Sequence, residues 1–127
     1  MSNDLIKVYR EENNKWKQTL DIQRQELPAM CETLSEFIKN KPGKQNIDNA
    51  RNLNSQLEVQ VEVIDQISVK IQSQQERLIG LREETPGHTP SMNTFYDQEE
   101  LRGELLRFEK NYLDLKQKFH SFLLSVL

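Results

Sequence analysis

Apolar residues recur in alternating steps of three and four along three long stretches of this chain, and two breaks rich in proline and glycine separate those stretches. In the first, Ile6, Tyr9, Asn13, Trp16, Leu20, Gln23, Leu27, Met30, Leu34 and Phe37 fall on one side of a helix. In the second, Ala50, Leu53, Leu57, Gln60, Ile64, Ile67, Ile71, Gln74, Leu78 and Leu81 keep the same steps. Leu101, Leu105, Phe108, Tyr112, Leu115, Phe119, Phe122 and Val126 complete the third without a polar interruption. A sustained period of about 3.5 residues keeps a seam facing its partner only if helices supercoil, so the pattern predicts coiled-coil packing.

The breaks are Lys41-Pro42-Gly43-Lys44 and Thr85-Pro86-Gly87-His88-Thr89-Pro90-Ser91. Proline lacks an amide donor and glycine tolerates positive φ, so the first reads as a turn and the second as a longer loop. The expected architecture is all-α: one coiled-coil region over residues 1–127, with helices at about 3–40, 46–84 and 96–126 and a helix-loop-helix break at 85–95. A helix of about 38 residues extends about 57 Å, so a rod is expected. Pro28 interrupts neither side of the first seam and is read as a kink on the outer face. Asp97, followed by Gln98, Glu99 and Glu100, offers a cap and first-turn negative charge for the third helix.

Composition supports this class and narrows function. Of the 127 residues 35% are hydrophobic and 29% charged, and the mean hydropathy is -0.78, too polar for the thick core of a compact enzyme. Only four glycines and four prolines are present, which leaves few turns for a sheet of short strands. Seventeen basic and twenty acidic residues are interspersed, with a net charge of -3. The richest basic cluster, Lys39, Lys41 and Lys44, is too small to track a phosphate backbone, so no nucleic-acid partner is expected. One cysteine, Cys31, permits no internal disulfide, and no apolar stretch approaches the roughly 20 residues that span a bilayer. The start, Met1-Ser-Asn-Asp-Leu, has no apolar signal region behind a basic head. A soluble protein of a reducing compartment, cytosol or nucleus, is expected.

Groups that could carry chemistry are scattered. Cys31, His88 and His120 lie in different segments without a neighbour at metal-ligand spacing, so no metal and no cofactor are expected. Glu11-Glu12, Glu83-Glu84 and Glu99-Glu100 are consecutive on helices, so their side chains diverge by about 100° and form solvated faces, not paired acids and bases. No glycine-rich phosphate loop occurs. The informative positions are polar residues in the seams: Asn13, Gln23, Gln60 and Gln74. Such residues lower stability and can fix register and choice of partner. Val59, Val61 and Val63 flank the second seam, and Leu106, Leu113 and Leu123 the third, which predicts a bundle of three or more helices at those levels. Apolar surface left in water forfeits about 25 cal/mol per Å², so the chain either closes into its own bundle or is one strand of a larger assembly. The apolar end, from Phe122 to Leu127, is expected to pack on a partner or to continue into a longer chain.

Lys15-Trp16, then Leu27 and Phe37, then Ile64-Asp65-Gln66, Ile71, Ser73-Gln74-Gln75 and Leu78, resemble the C-terminal coiled-coil region of the central-channel FG nucleoporins. The similarity covers about residues 13–81, with about one residue of slippage around Pro42-Gly43. It implies a structural subunit of the nuclear pore, in the nucleus, assembling in parallel with two partner nucleoporin coiled coils and supporting nucleocytoplasmic transport. On that resemblance Trp16, Leu27, Phe37, Ile64, Ile71 and Leu78 are interhelical packing residues, and Asp65, Gln66, Gln74 and Gln75 help select register. Leu57, Phe108, Tyr112, Leu115 and Phe119 join them as candidate partner-binding residues from the seams, with a second copy of the chain as a further candidate partner. The chain departs from the family in having no Phe-Gly dipeptide, and in Pro28 and Pro42, which fall where the family is usually helical.

Two other readings compete. An unrelated helical scaffold, either a spectrin-like three-helix repeat or a kinetochore-type coiled-coil subunit, is compatible with Trp16 in the first helix and Asn111-Tyr112-Leu113 in the third. An enzyme or small-molecule carrier needs inward-facing ionisable groups, and the seams offer only amides, tyrosine and tryptophan.

Overall fold

The computed structural model describes the backbone of residues 2–84 and 92–127 and the side chains of residues 5–81 and 92–127. Three helices make up the fold: α1 (Ser2–Lys39), α2 (Lys44–Glu84) and α3 (Met92–Val126). No strand occurs among the described residues, and the fold is all-α. The break at Thr85–Ser91, with His88, and the side chains of Glu83 and Glu84 lie outside the described residues.

Each seam forms a helix because its apolar positions share one face and its remaining positions are filled mostly by good helix formers such as Glu, Lys, Gln and Arg. The seam side chains are buried, except Trp16, Phe37, Gln60, Leu81, Phe122 and Val126, which are half-buried. Pro28 sits inside α1 with its ring exposed, and the helix continues through it to Lys39.

In the first turn positive φ falls on Lys41, at 55°. The amides of Asn40 and Lys41 donate to the carbonyls of Phe37 and Ile38, each at 3.2 Å, which closes α1 on a left-handed residue. Pro42 then blocks continuation, and the carbonyl of Gly43 accepts from the Ile47 amide at 3.0 Å to open α2.

α3 also begins earlier than its apolar pattern predicts, at Met92 instead of about residue 96. Asp97 is therefore one turn inside the helix and no cap, and its carboxylate pairs with Arg77 of α2. The additional turn extends the seam through Thr94 and Gln98, which are buried. Both are polar, so a search for apolar periodicity passes over them.

The chain forms two compact units, and their boundary crosses the helices instead of falling at the turns. Unit 1 is Met1–Asp21 with Asp65–Leu106, and unit 2 is Ile22–Ile64 with Arg107–Leu127. In unit 1, Lys17 reaches Gln72 at 3.1 Å and Asn13 reaches Gln75 at 3.0 Å, so α1 and α2 run antiparallel. Pairs Lys70 with Glu104 and Arg77 with Asp97 make α2 and α3 antiparallel as well. Ile6, Tyr9 and Leu78 form a buried cluster there, with Leu81 packed against it.

In unit 2, α1 and α3 run parallel: Gln23 meets Glu109, Glu26 meets Lys116, and the rings of Phe37 and Phe122 meet edge to face at 5.2 Å. Its core contains Leu27, Met30, Leu34, Leu57, Ile64, Phe108, Leu115 and Phe119. The wide apolar stripes are not covered as their breadth predicts. Val59, Leu106 and Leu113 remain exposed, and Val61, Val63 and Leu123 are only half-covered. Each exposed leucine follows a seam residue by one position, so it points about 100° away from the core that buries its neighbour.

Candidate functional site

The most organised polar structure lies in the core of unit 1, where α1, α2 and α3 each contribute amides to one connected layer. Asn13, Gln74, Gln75, Thr94 and Gln98 are all at least nine-tenths buried. The Nδ2 of Asn13 donates to Gln75 Oε1 at 3.0 Å and to Gln98 Oε1 at 3.4 Å. Gln98 answers through Nε2, which donates to Asn13 Oδ1 at 2.9 Å and Glu12 Oε1 at 2.8 Å. From α2, Gln74 Nε2 donates to Gln98 Oε1 at 3.2 Å and to the Thr94 carbonyl at 3.1 Å. Gln75 Nε2 donates to Asn14 Oδ1 at 3.1 Å and the Arg10 carbonyl at 3.4 Å. Buried amides are tolerable only when paired in this way, because each unpaired one forfeits its hydration.

Glu12 joins this layer to a charged clasp. Arg102 donates to both Glu12 oxygens, from Nε at 2.9 Å and Nη2 at 2.7 Å, and its Nη1 binds Glu99. Bidentate geometry of this kind is the strong form of a carboxylate pair. The Glu12 hydrogen bond holds the Arg102 guanidinium still more firmly protonated, against the opposing effect of burial. Burial, followed by the charge of Glu99, raises Tyr9 above its ordinary value.

Unit 2 carries a second polar group between α1 and α3. Gln23 Nε2 donates to both Glu109 oxygens at 2.9 Å. Glu26 accepts from the Tyr112 hydroxyl and from Lys116 Nζ, the latter at 2.8 Å. Lys116 also stands over the Tyr112 ring, 5.7 Å from its centre. These donors hold the Glu26 carboxyl below the ordinary range, Lys116 first and Tyr112 second. Burial and then Glu26 raise Tyr112. Two seam amides are less well served: Gln23 Oε1 and Gln60 Oε1 are enclosed without a partner among the described residues.

The candidate partner-binding residues divide by exposure. Leu27, Leu57, Ile64, Ile71, Gln74, Gln75, Leu78, Phe108, Tyr112, Leu115 and Phe119 are buried within the chain. Trp16 and Phe37 are half-buried, while Asp65 and Gln66 are exposed. Gln74 and Gln75 meet in the amide layer, whereas Trp16 and Gln66 are not brought into it. Glu12, Glu26, Thr94, Gln98, Arg102 and Glu109 belong to these polar groups without having been singled out as pairing residues. Their signal is position: Glu12 precedes the seam residue Asn13, and Arg102 follows Leu101, so the two flank facing seams with opposite charge.

Amides do not titrate in water, so the layer can align helices but cannot move a proton. Cys31 is half-buried on α1, and burial, then the charge of Glu58, raises its thiol. Among the described residues no three His, Cys, Asp or Glu side chains group to hold a metal ion, and no helix is long and apolar enough to cross a membrane. A groove of about 280 Å³ between α2 and α3 in unit 1 is bordered by Val69, Ser73 and Glu100, with Lys70 paired to Glu104 and Arg77 to Asp97 along it.

No protein-family model, curated protein or solved structure matches the chain.

Proposed function

We propose that this chain is a non-catalytic structural module, a helical scaffold or adaptor that closes its three seams against one another in the manner of a spectrin-like repeat. One observation carries the reading: most seam residues of α1, α2 and α3 are buried by helices of the same chain in both units. Seams that are buried in this way need no partner in order to fold, and the surface beside them displays charged and polar groups together with exposed apolar residues such as Val59, Leu106 and Leu113. Sedimentation equilibrium tests this. A single species of 15.0 kDa at every concentration, unfolding in one cooperative step, is the expected result.

A second reading is the nucleoporin one, a coiled-coil subunit that assembles with partner nucleoporin coiled coils at the nuclear pore and helps to anchor its transport channel. What favours it is the stretch Ile64-Asp65-Gln66, whose two polar side chains are exposed beside a buried isoleucine and are accessible to another chain. Self-association or insolubility that is relieved by adding two such coiled-coil partners supports this second reading against the first.

A further inference from the structure

We propose that the amide layer of unit 1 is a register selector, which makes the observed alignment of α1, α2 and α3 the one in which the buried amides are paired. Apolar seams alone do not choose an alignment. Sliding one helix by seven residues presents another seam residue, apolar at most positions, to the same neighbours. The layer removes this freedom. If α3 slides by one heptad toward its N-terminus, Leu105 takes the place of Gln98, and Asn13 and Gln74 lose a common partner while enclosed in the core. Gln98 at the same time leaves Glu12 and Asn13, its two acceptors.

The layer that joins amides of all three helices lies in unit 1. The seam of unit 2 is mostly apolar, with Leu27, Met30 and Leu34 on α1, Leu57 and Ile64 on α2 and Phe108 and Leu115 on α3, and its one buried amide, Gln23, pairs with Glu109 of α3 alone. A fully paired amide layer adds little net stability over a packed apolar one, and its effect is to penalise the alternatives in which it is broken. Exchange of a helix with a second copy is penalised equally whenever it is out of step. The inference rests on hydrogen-bond geometry within unit 1 and stands apart from the scaffold reading.

The test uses the full chain carrying Cys31→Ser, with thiols introduced in pairs and joined by a short bismaleimide. Positions 17 and 72 report the native alignment, since Lys17 and Gln72 touch at 3.1 Å, and positions 17 and 65 or 17 and 79 report slides of one heptad. With the layer intact, the 17/72 pair is expected to link at least about tenfold more than either slipped pair. In the variant Asn13→Leu/Gln74→Leu/Gln98→Leu the helicity is expected to persist, the slipped yields to rise to within about threefold of the native one, and linked dimers to appear. Linking confined to 17/72 in that variant, without dimers, would overturn the proposal. Loss of helicity in the variant would overturn it too, because the layer would then supply stability instead of selection.

Discussion

Lys41 holds a φ of 55°, a region where a Cβ crowds the following carbonyl and which glycine enters freely. Replacing it should therefore remove strain from the α1–α2 turn, and Lys41→Gly is expected to raise unfolding free energy by about 1 kcal/mol. An unchanged or lower midpoint in urea would contradict this. Gly80 presents the opposite case: it lies inside α2, where its backbone freedom is a liability, and a Cβ there meets nothing within 4 Å. Gly80→Ala is expected to stabilise by about 0.5 to 1 kcal/mol, measured the same way. At this scale the sequence was partly legible. Asn13 and Gln74 stand out as polar interruptions of apolar seams, and Gln75 enters only through the family resemblance. Thr94 and Gln98 were hidden because they extend the third seam with polar side chains, whose burial depends on partners on the other two helices.

Pro28 and Glu26 show what the helices themselves contribute. Pro28 has no amide hydrogen to donate within the helix, yet α1 continues and the ring is exposed. Pro28→Ala replaces an interior proline by a good helix former without disturbing the core, and a gain of up to about 3 kcal/mol is expected in thermal or urea unfolding. Glu26 links α1 to α3 through Lys116 and Tyr112, with Glu109 the neighbouring acidic group on α3. Its carboxyl is held below the ordinary 4.5 in the folded chain, so as pH falls the unfolded chain takes up the proton first. The resulting stabilisation is complete above the unfolded value and is lost as pH drops through the folded one. Since both side chains of the ion pair are about a third exposed, solvent screening limits the effect to about 1 kcal/mol or less. Unfolding midpoints measured from about pH 6 to about pH 3 should fall more steeply for the natural chain than for Glu26→Gln, and parallel curves would contradict the assignment. Helix number and the approximate limits of α1 and α2 were legible from period and breaks. The start of α3 was not, because Asp97 imitates a cap while the helix begins one turn earlier around the buried Thr94.

The whole molecule is governed by which chain covers each apolar face. Periodicity establishes that the seams need cover but is the same whether the cover is internal or external, so the alternatives stayed open in the sequence. In each unit the buried seams are closed by stretches of all three helices, and the ionic contacts between helices follow the same pairing. The exposed Leu106 and Leu113 show the limit of the argument from stripe width, since a residue one step off the seam counts as apolar in the sequence and still faces water. Zero-length carbodiimide linking of an equal mixture of light and nitrogen-15-labelled chains tests internal closure most directly. Lys70 and Glu104 approach to 2.7 Å, and Lys116 and Glu26 to 2.8 Å, so both pairs should join as amides. Linked peptides are predicted to be wholly light or wholly heavy. Mixed light and heavy peptides at these pairs, in the proportion expected for chains that share their helices, would contradict the account.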